Sequence, residues 1–217
     1  TIFSYNTSEV LNVNDLPTGT ISILGEAAVG AELNVVLSDI SDLDGIEKAI
    51  QPNTKMIFVC SPNNPTANIM DAGAIQKLCE TYADTGLIIV VETYIEFSDQ
   101  PSSIAKLDQF ANLVVLRTLS KSHAAAGLRC GAAVARGDVT SLLQKVLAPY
   151  PLAAPVMQAA LTILKPENTA KLAEKRADIV TRRNGYAKEF AKLDDVQSVL
   201  PSDANYLLLL VRDAADL

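Results

Sequence analysis

A single lysine set among small residues opens the question of chemistry. In "RTLSKSHAAAGLRCG", residues 117–131, Lys121 follows Thr118 and Ser120, and Ala124, Ala125, Ala126 and Gly127 separate it from Arg129. Small side chains let a backbone approach a bound group closely, and a guanidinium fork is a preferred partner for a doubly charged phosphate. The hydroxyls of Thr118 and Ser120 add donors for the same anion. An amine beside a phosphate site suits a Schiff-base cofactor, whose aldehyde condenses with the amine while its phosphate is held elsewhere. A second group of residues, "CSPNNPT" at 60–66, is a polar turn whose asparagines, Asn64 among them, can donate to a ring oxygen. A third, "VETYIEF" at 91–97, offers the phenol of Tyr94, while Ile95 and Phe97 read as packing residues and Glu92 and Glu96 as solvated.

These stretches need elements to hold them. "KMIFVC" (55–60), "GLIIVV" (86–91) and "NLVVLR" (112–117) are short apolar runs without alternation, which predicts strands buried on both faces. Between the first two lies a helix predicted over 71–84, with Ile75, Leu78, Cys79 and Tyr82 on one stripe. Such alternation predicts an α/β fold with a mostly parallel sheet sandwiched by helices. In open sheets of this kind ligands bind beyond the carboxyl ends of the strands, so the loops at 61–68, 92–98 and 118–129 face one site.

Upstream, residues 1–30 are weakly patterned; "AELNVVL" reads as a strand, and Ser41 with Asp44 opens a short helix. Downstream, "CGAAVA" reads as a strand, and "DVTSLLQKVLA" and "APVMQAALTIL" as helices around a proline-containing turn. A long polar helix follows, with Leu172, Ile179, Tyr186 and Phe190 at helical spacing, then a turn and a strand at "NYLLLLV" (205–211). The expected organisation is a large domain over 1–165, incomplete at its N-terminus, and a connecting helix with the first part of a small α+β domain over 166–217.

Bulk composition narrows the partners. The 217 residues are 49% apolar and 20% charged, with a formal net charge of −7 and no basic run. That argues against nucleic acid or an anionic membrane surface as partner, and no apolar stretch approaches the about 20 residues of a membrane span. Cys60, Cys79 and Cys130 are odd in number and lack a CxxC pair, so neither a disulfide framework nor a zinc site is expected; a reducing cytosol fits.

Together, "CSPNNPT", "YIEF", "LRTLSK" with "AGLRCG", and "APYPL" resemble, in order and spacing, the motifs of fold type I pyridoxal-phosphate aminotransferases, most closely the histidinol-phosphate aminotransferases, over about residues 31–211. The resemblance implies pyridoxal 5'-phosphate as cofactor and Lys121 as the catalytic amine that forms the internal aldimine and then shuttles a proton. It implies that Ser120 and Arg129 hold the phosphate, that Asn64 and Tyr94 bind the ring oxygen, and that Phe3 in "TIFSY" stacks on the ring. It further implies a homodimer taking L-histidinol phosphate as amino donor and 2-oxoglutarate as keto acceptor; an aromatic aminotransferase or a phosphothreonine decarboxylase uses the same lysine. The chain departs from the family at Val91, where "VETY" replaces "DEAY" and removes the aspartate that meets the pyridine nitrogen, which also admits a catalytically impaired member of the fold. Ala67 replaces the glycine of "NPTG", Ser122 and His123 replace apolar residues, and Glu92 could substitute for the aspartate only at an irregular strand end.

Overall fold

The computed structural model describes residues 10–12, 34–36, 43–52 and 54–212, the first two segments as backbone only. The chain forms two compact units, Thr1–Thr54 and Lys55–Leu217. In the first, β1 (Val10–Asn12) pairs antiparallel with β2 (Asn34–Val36), and a short helix α1 (Leu43–Ala49) carries the buried Ile46. Phe3 and Ser41 lie outside the described residues.

The second unit is built on a four-stranded sheet in the order β3 (Met56–Cys60), β4 (Leu87–Val91), β5 (Leu113–Thr118), β6 (Gly131–Ala135). The first three strands run parallel and β6 closes the edge antiparallel. Ile88, Val90, Leu113 and Val115 have no more than traces of exposure, and Ile89 and Val114 are buried on the other face. This explains the absence of alternation in the sequence: both faces of β4 are covered. Burial of each such side chain contributes about 1.5–3 kcal/mol.

Helix α2 (Ala72–Thr81) makes the crossover from β3 to β4. It starts where Asp71 accepts hydrogen bonds from the N–H groups of Gly73 and Ala74, at 2.8 and 3.2 Å, as an N-cap does. Ile75, Leu78 and Cys79 are its buried stripe, and burial raises the Cys79 thiol to about 11. On the other side, α3 (Gly137–Val146) lays Val139 and Leu143 against Ile89 and Val114. The β5–β6 pairing needs Gly131, since a Cβ there would stand 2.7 Å from the Arg117 carbonyl oxygen. This close approach fixes the base of the loop that carries Lys121.

Beyond α4 (Ala154–Ile163) runs α5 (Pro166–Phe190), each with a proline in its first turn. The contact stripe of α5 differs from the expected one. Leu172, Arg176, Val180, Arg183, Ala187 and Phe190 are partly covered, whereas Ile179 and Tyr186 are 38% and 57% exposed. The apolar residues alone misplace the stripe because two arginines belong to it, their stems covering apolar surface. The last strand is also shorter than expected. The described residues end in an antiparallel hairpin of β7 (Val196–Val199) and β8 (Leu209–Val211); Leu208 still accepts from the Leu200 N–H, and Tyr206, outside the strand, bonds the Asn63 carbonyl.

Candidate active site

Three loops beyond the carboxyl ends of β3, β4 and β5 converge on Tyr94. The first is held by its own polar groups: the Asn63 N–H donates to the Asn68 carbonyl at 2.8 Å, and the Ala67 N–H to the Asn63 carbonyl at 2.9 Å. The Asn63 side chain donates to Thr66 at 2.6 Å, and Thr66 in turn donates to Asn68. The peptides before Pro62 and Pro65 are cis. Ala67 sits at φ 59° and is fully buried, its methyl packed with Tyr94, Phe97 and Ala204. A left-handed alanine costs about 1–2 kcal/mol, and a buried methyl recovers about 0.8 kcal/mol, which explains why alanine is tolerated where glycine is expected.

The second loop leaves β4 and turns through a 3-10 segment, Ile95–Phe97, that buries both of those side chains. Tyr94 is 6% exposed, and its hydroxyl accepts a hydrogen bond from the Asn64 side-chain amide at 3.1 Å. Lys121 arrives from the third loop. Its ammonium nitrogen lies over the Tyr94 ring, 5.6 Å from the centroid, a cation–π contact that holds an otherwise exposed amine in place.

The lysine loop is shaped by backbone bonds from Leu119 to the Cys130 carbonyl (3.1 Å) and from Ala125 to the Leu119 carbonyl (3.0 Å). Thr118 Oγ1 donates to Ser120 Oγ at 2.9 Å, so the two hydroxyls stand together just before Lys121. Arg129 takes the left-handed conformation at φ 50°, and its exposed guanidinium donates to the Ala126 carbonyl at 3.0 Å. Asn64, Tyr94 and Lys121 are thus gathered, Ser120 is paired with Thr118, and Arg129 is engaged with its own turn. The small residues Ala124, Ala125 and Gly127 line a groove of about 740 Å³ facing Pro155 and Ala159 of α4.

Glu92 and Glu96 are not solvated. Glu92 is 2% exposed, accepts from the Ser103 N–H at 2.6 Å and the Ser102 hydroxyl at 2.5 Å, and faces Arg117 at 3.5 Å. Arg117 makes its shorter ion pair, 2.6 Å, with Glu96. A buried charge needs such partners, and the glutamates are recruited because the strand end alternates normally: Glu92 points away from the face that carries Val91. It therefore does not take the place of the missing aspartate. We expect Glu92→Ala to lower stability by about 3 kcal/mol in chemical denaturation, because Arg117 and the Ser103 N–H lose a buried acceptor. Glu92→Gln should cost less, since its amide oxygen still accepts from Ser103. His123 belongs to the same polar region: burial lowers its basicity, Glu96 opposes that shift, and Arg176 and Arg117 add to it.

Val91 is half-buried and in register with Cys60 and Leu116. Residues in register across a parallel pair share a face. Cys60, at the end of β3, and Tyr94 both act electrostatically on the Tyr206 hydroxyl. Tyr206 itself escapes sequence reasoning, which leaves it inside a strand. Its ring meets that of Tyr94 edge-on, 5.3 Å between centroids at 83°, and no local signal marks a tyrosine in "NYLLLLV" as a wall of the site.

Residues 31–216 match the family described as Aminotransferase class I and II. A histidinol-phosphate aminotransferase of Mannheimia succiniciproducens is 40% identical over 172 residues, covering 79% of this chain and 49% of that protein. The chain spans about half the length of the curated relatives it matches. Its fold superposes on a histidinol-phosphate aminotransferase from Sinorhizobium meliloti in complex with pyridoxal-5'-phosphate, with a TM-score of 0.72 and 23% identity over 85% of this chain and 50% of that one. It also superposes on an L-threonine-O-3-phosphate decarboxylase from Porphyromonas gingivalis, with a TM-score of 0.67 and 24% identity over 78% and 51%. With the matched profile spanning most of its length, the chain belongs to the class I and II aminotransferase family.

Proposed function

We propose that the protein is a pyridoxal-phosphate-dependent aminotransferase that moves an amino group between L-histidinol phosphate and 2-oxoglutarate, a step of histidine biosynthesis. The observation that carries this reading is the gathering of Asn64, Tyr94 and Lys121 from the ends of three adjacent parallel strands. The substrate rests on the 40% identity to a protein of that name; the decarboxylase shares the fold alone.

The donor set fits the cofactor at most of its ends. The Lys121 amine suits the aldehyde, the Asn64 amide and Tyr94 phenol suit the ring oxygen, and the paired hydroxyls of Thr118 and Ser120 suit the phosphate. Arg129 would join the phosphate by giving up its bond to Ala126. At the ring nitrogen the fit fails, because Val91 offers no carboxylate. When bound, the group supplies an electron-withdrawing ring that spreads the negative charge developing on the substrate carbon. Lys121 Nζ would take the proton from the substrate carbon and hold it for redelivery elsewhere, the shuttle that amino-group transfer requires. Tyr94, nearly enclosed, excludes water from one side of the amine and aligns it through its ring face. The reading includes a homodimer and a cytoplasmic setting; among the described residues no helix is long and apolar enough to cross a membrane. The division at 165/166 into a large domain and the start of a small one is part of it.

Adding pyridoxal phosphate, reducing with borohydride and digesting for mass spectrometry tests the assignment. A pyridoxyl group on Lys121 is expected, and its absence there defeats the proposal for this chain.

A further inference from the structure

Tyr206 reaches the site from more than a hundred residues away and touches Tyr94 directly and Asn64 only through the backbone of its neighbour, Asn63. Its hydroxyl donates to the Asn63 carbonyl at 2.6 Å, the same oxygen that accepts from the Ala67 N–H at 2.9 Å. Asp203, three residues earlier, donates its N–H to the Ala67 carbonyl at 2.8 Å, so the 203–206 segment grips the Asn63–Ala67 turn at both ends. The ring of Tyr206 meanwhile stands edge-on against Tyr94, and Ala204 fills the cluster of Ala67, Tyr94 and Phe97 between them. The segment is itself braced, since Ser202 donates to the Tyr206 carbonyl at 2.6 Å and Arg183 to that of Ala204 at 2.6 Å.

We propose that Tyr206 is a positioning residue for the Asn64–Tyr94 pair, fixing the amide through the backbone of its neighbour and the phenol through ring contact, and so setting the donors that meet the cofactor's ring oxygen. The proposal rests on the reading that this pair receives that oxygen. Two anchors on one side chain make the coupling specific: removing the hydroxyl releases the turn, whereas removing the ring also releases Tyr94. Burial, with the Tyr94 phenol and the Cys60 thiol nearby, holds the Tyr206 phenol protonated well above the ordinary tyrosine range. It therefore remains a donor to Asn63 throughout neutral and mildly alkaline pH.

The test compares Tyr206→Phe, which keeps the ring, with Asn64→Ala and the double variant, using pyridoxal phosphate as probe in equilibrium dialysis. Tyr206→Phe should weaken binding about fivefold to tenfold, the effect of one lost hydrogen bond, and should shift the pH midpoint of the bound cofactor's visible band. The loss in the double variant should fall short of the product of the single losses, as for residues that act through one another. Unchanged binding and midpoint in Tyr206→Phe, or losses that simply multiply, overturn the proposal. A measurement without cofactor separates this from the aminotransferase reading: in labelled protein, Tyr206→Phe should shift the Asn64 side-chain amide resonances, and unshifted resonances also overturn it. If those resonances shift while the wild-type protein binds no cofactor, positioning stands and the aminotransferase reading falls instead.

Discussion

Replacing Lys121 by alanine should reduce transamination by roughly 10⁴-fold to 10⁶-fold, the scale on which removing a single reacting group acts, while leaving the fold intact. The second half of that expectation follows from the environment of the side chain. Lys121 is exposed and lies over the face of Tyr94, so its removal forfeits about 0.5–1 kcal/mol of cation–π attraction and little packing. The loop stays shaped by the backbone bonds at Leu119, Ala124 and Ala125 and by the Thr118–Ser120 pair. Pyridoxal phosphate should accordingly still bind the variant, more weakly, through the ring-oxygen and phosphate donors. Measured together, a melting temperature near that of the parent, residual cofactor affinity and lost turnover would place Lys121 at the reacting carbon. Turnover retained by the variant would remove the amine from the chemistry altogether. Lys121→Arg sharpens the comparison, because it keeps the charge over Tyr94 and cannot give up its proton at neutral pH.

The strands and loops of the site were legible in the sequence for a physical reason. A strand buried on both faces, such as Leu87–Val91, must be continuously apolar, and the loops beyond three such parallel strands must then share an edge. Asn64, Tyr94 and Lys121 could be brought together on that logic alone. What pattern reading loses is anything decided by long-range polar pairing. Glu92 reads as a surface charge until Ser102, Ser103 and Arg117 are seen to enclose it, and those partners lie 10 to 25 residues away. The contact stripe of α5 is hidden similarly, because Arg176 and Arg183 occupy it and hydropathy places arginine outside. Tyr206 is the extreme case: its partner Asn63 is 143 residues distant, and the tyrosine lies outside β8 in a run that local propensity assigns to a strand. Arg129 shows a different limit, since its spacing from Lys121 marks it as an anion ligand while its geometry engages the guanidinium with Ala126.

Val91→Asp should raise whatever turnover the protein has by on the order of 10²-fold, the effect of one well-placed charged group on developing charge in an enclosed site. Residue 91 shares its face with Cys60 and Leu116, whereas the neighbouring carboxylate of Glu92 is committed to Ser102, Ser103 and Arg117. A carboxylate at 91 would be half-buried with no cation supplied by Cys60 or Leu116. Without added cofactor, then, Val91→Asp should be less stable than the parent by about 1–3 kcal/mol, the cost of enclosing a polar group that lacks a partner. Adding pyridoxal phosphate gives that carboxylate a ring nitrogen to bond, so the melting temperature of the variant should rise more with cofactor than that of the parent. Val91→Asn separates charge from hydrogen bonding, because an amide can meet the nitrogen yet cannot hold it protonated; it should recover part of the affinity and little of the rate. A variant whose rate and cofactor-linked stabilisation both match the parent would show that residue 91 does not face the ring, and the register of β4 against the cofactor would have to be redrawn.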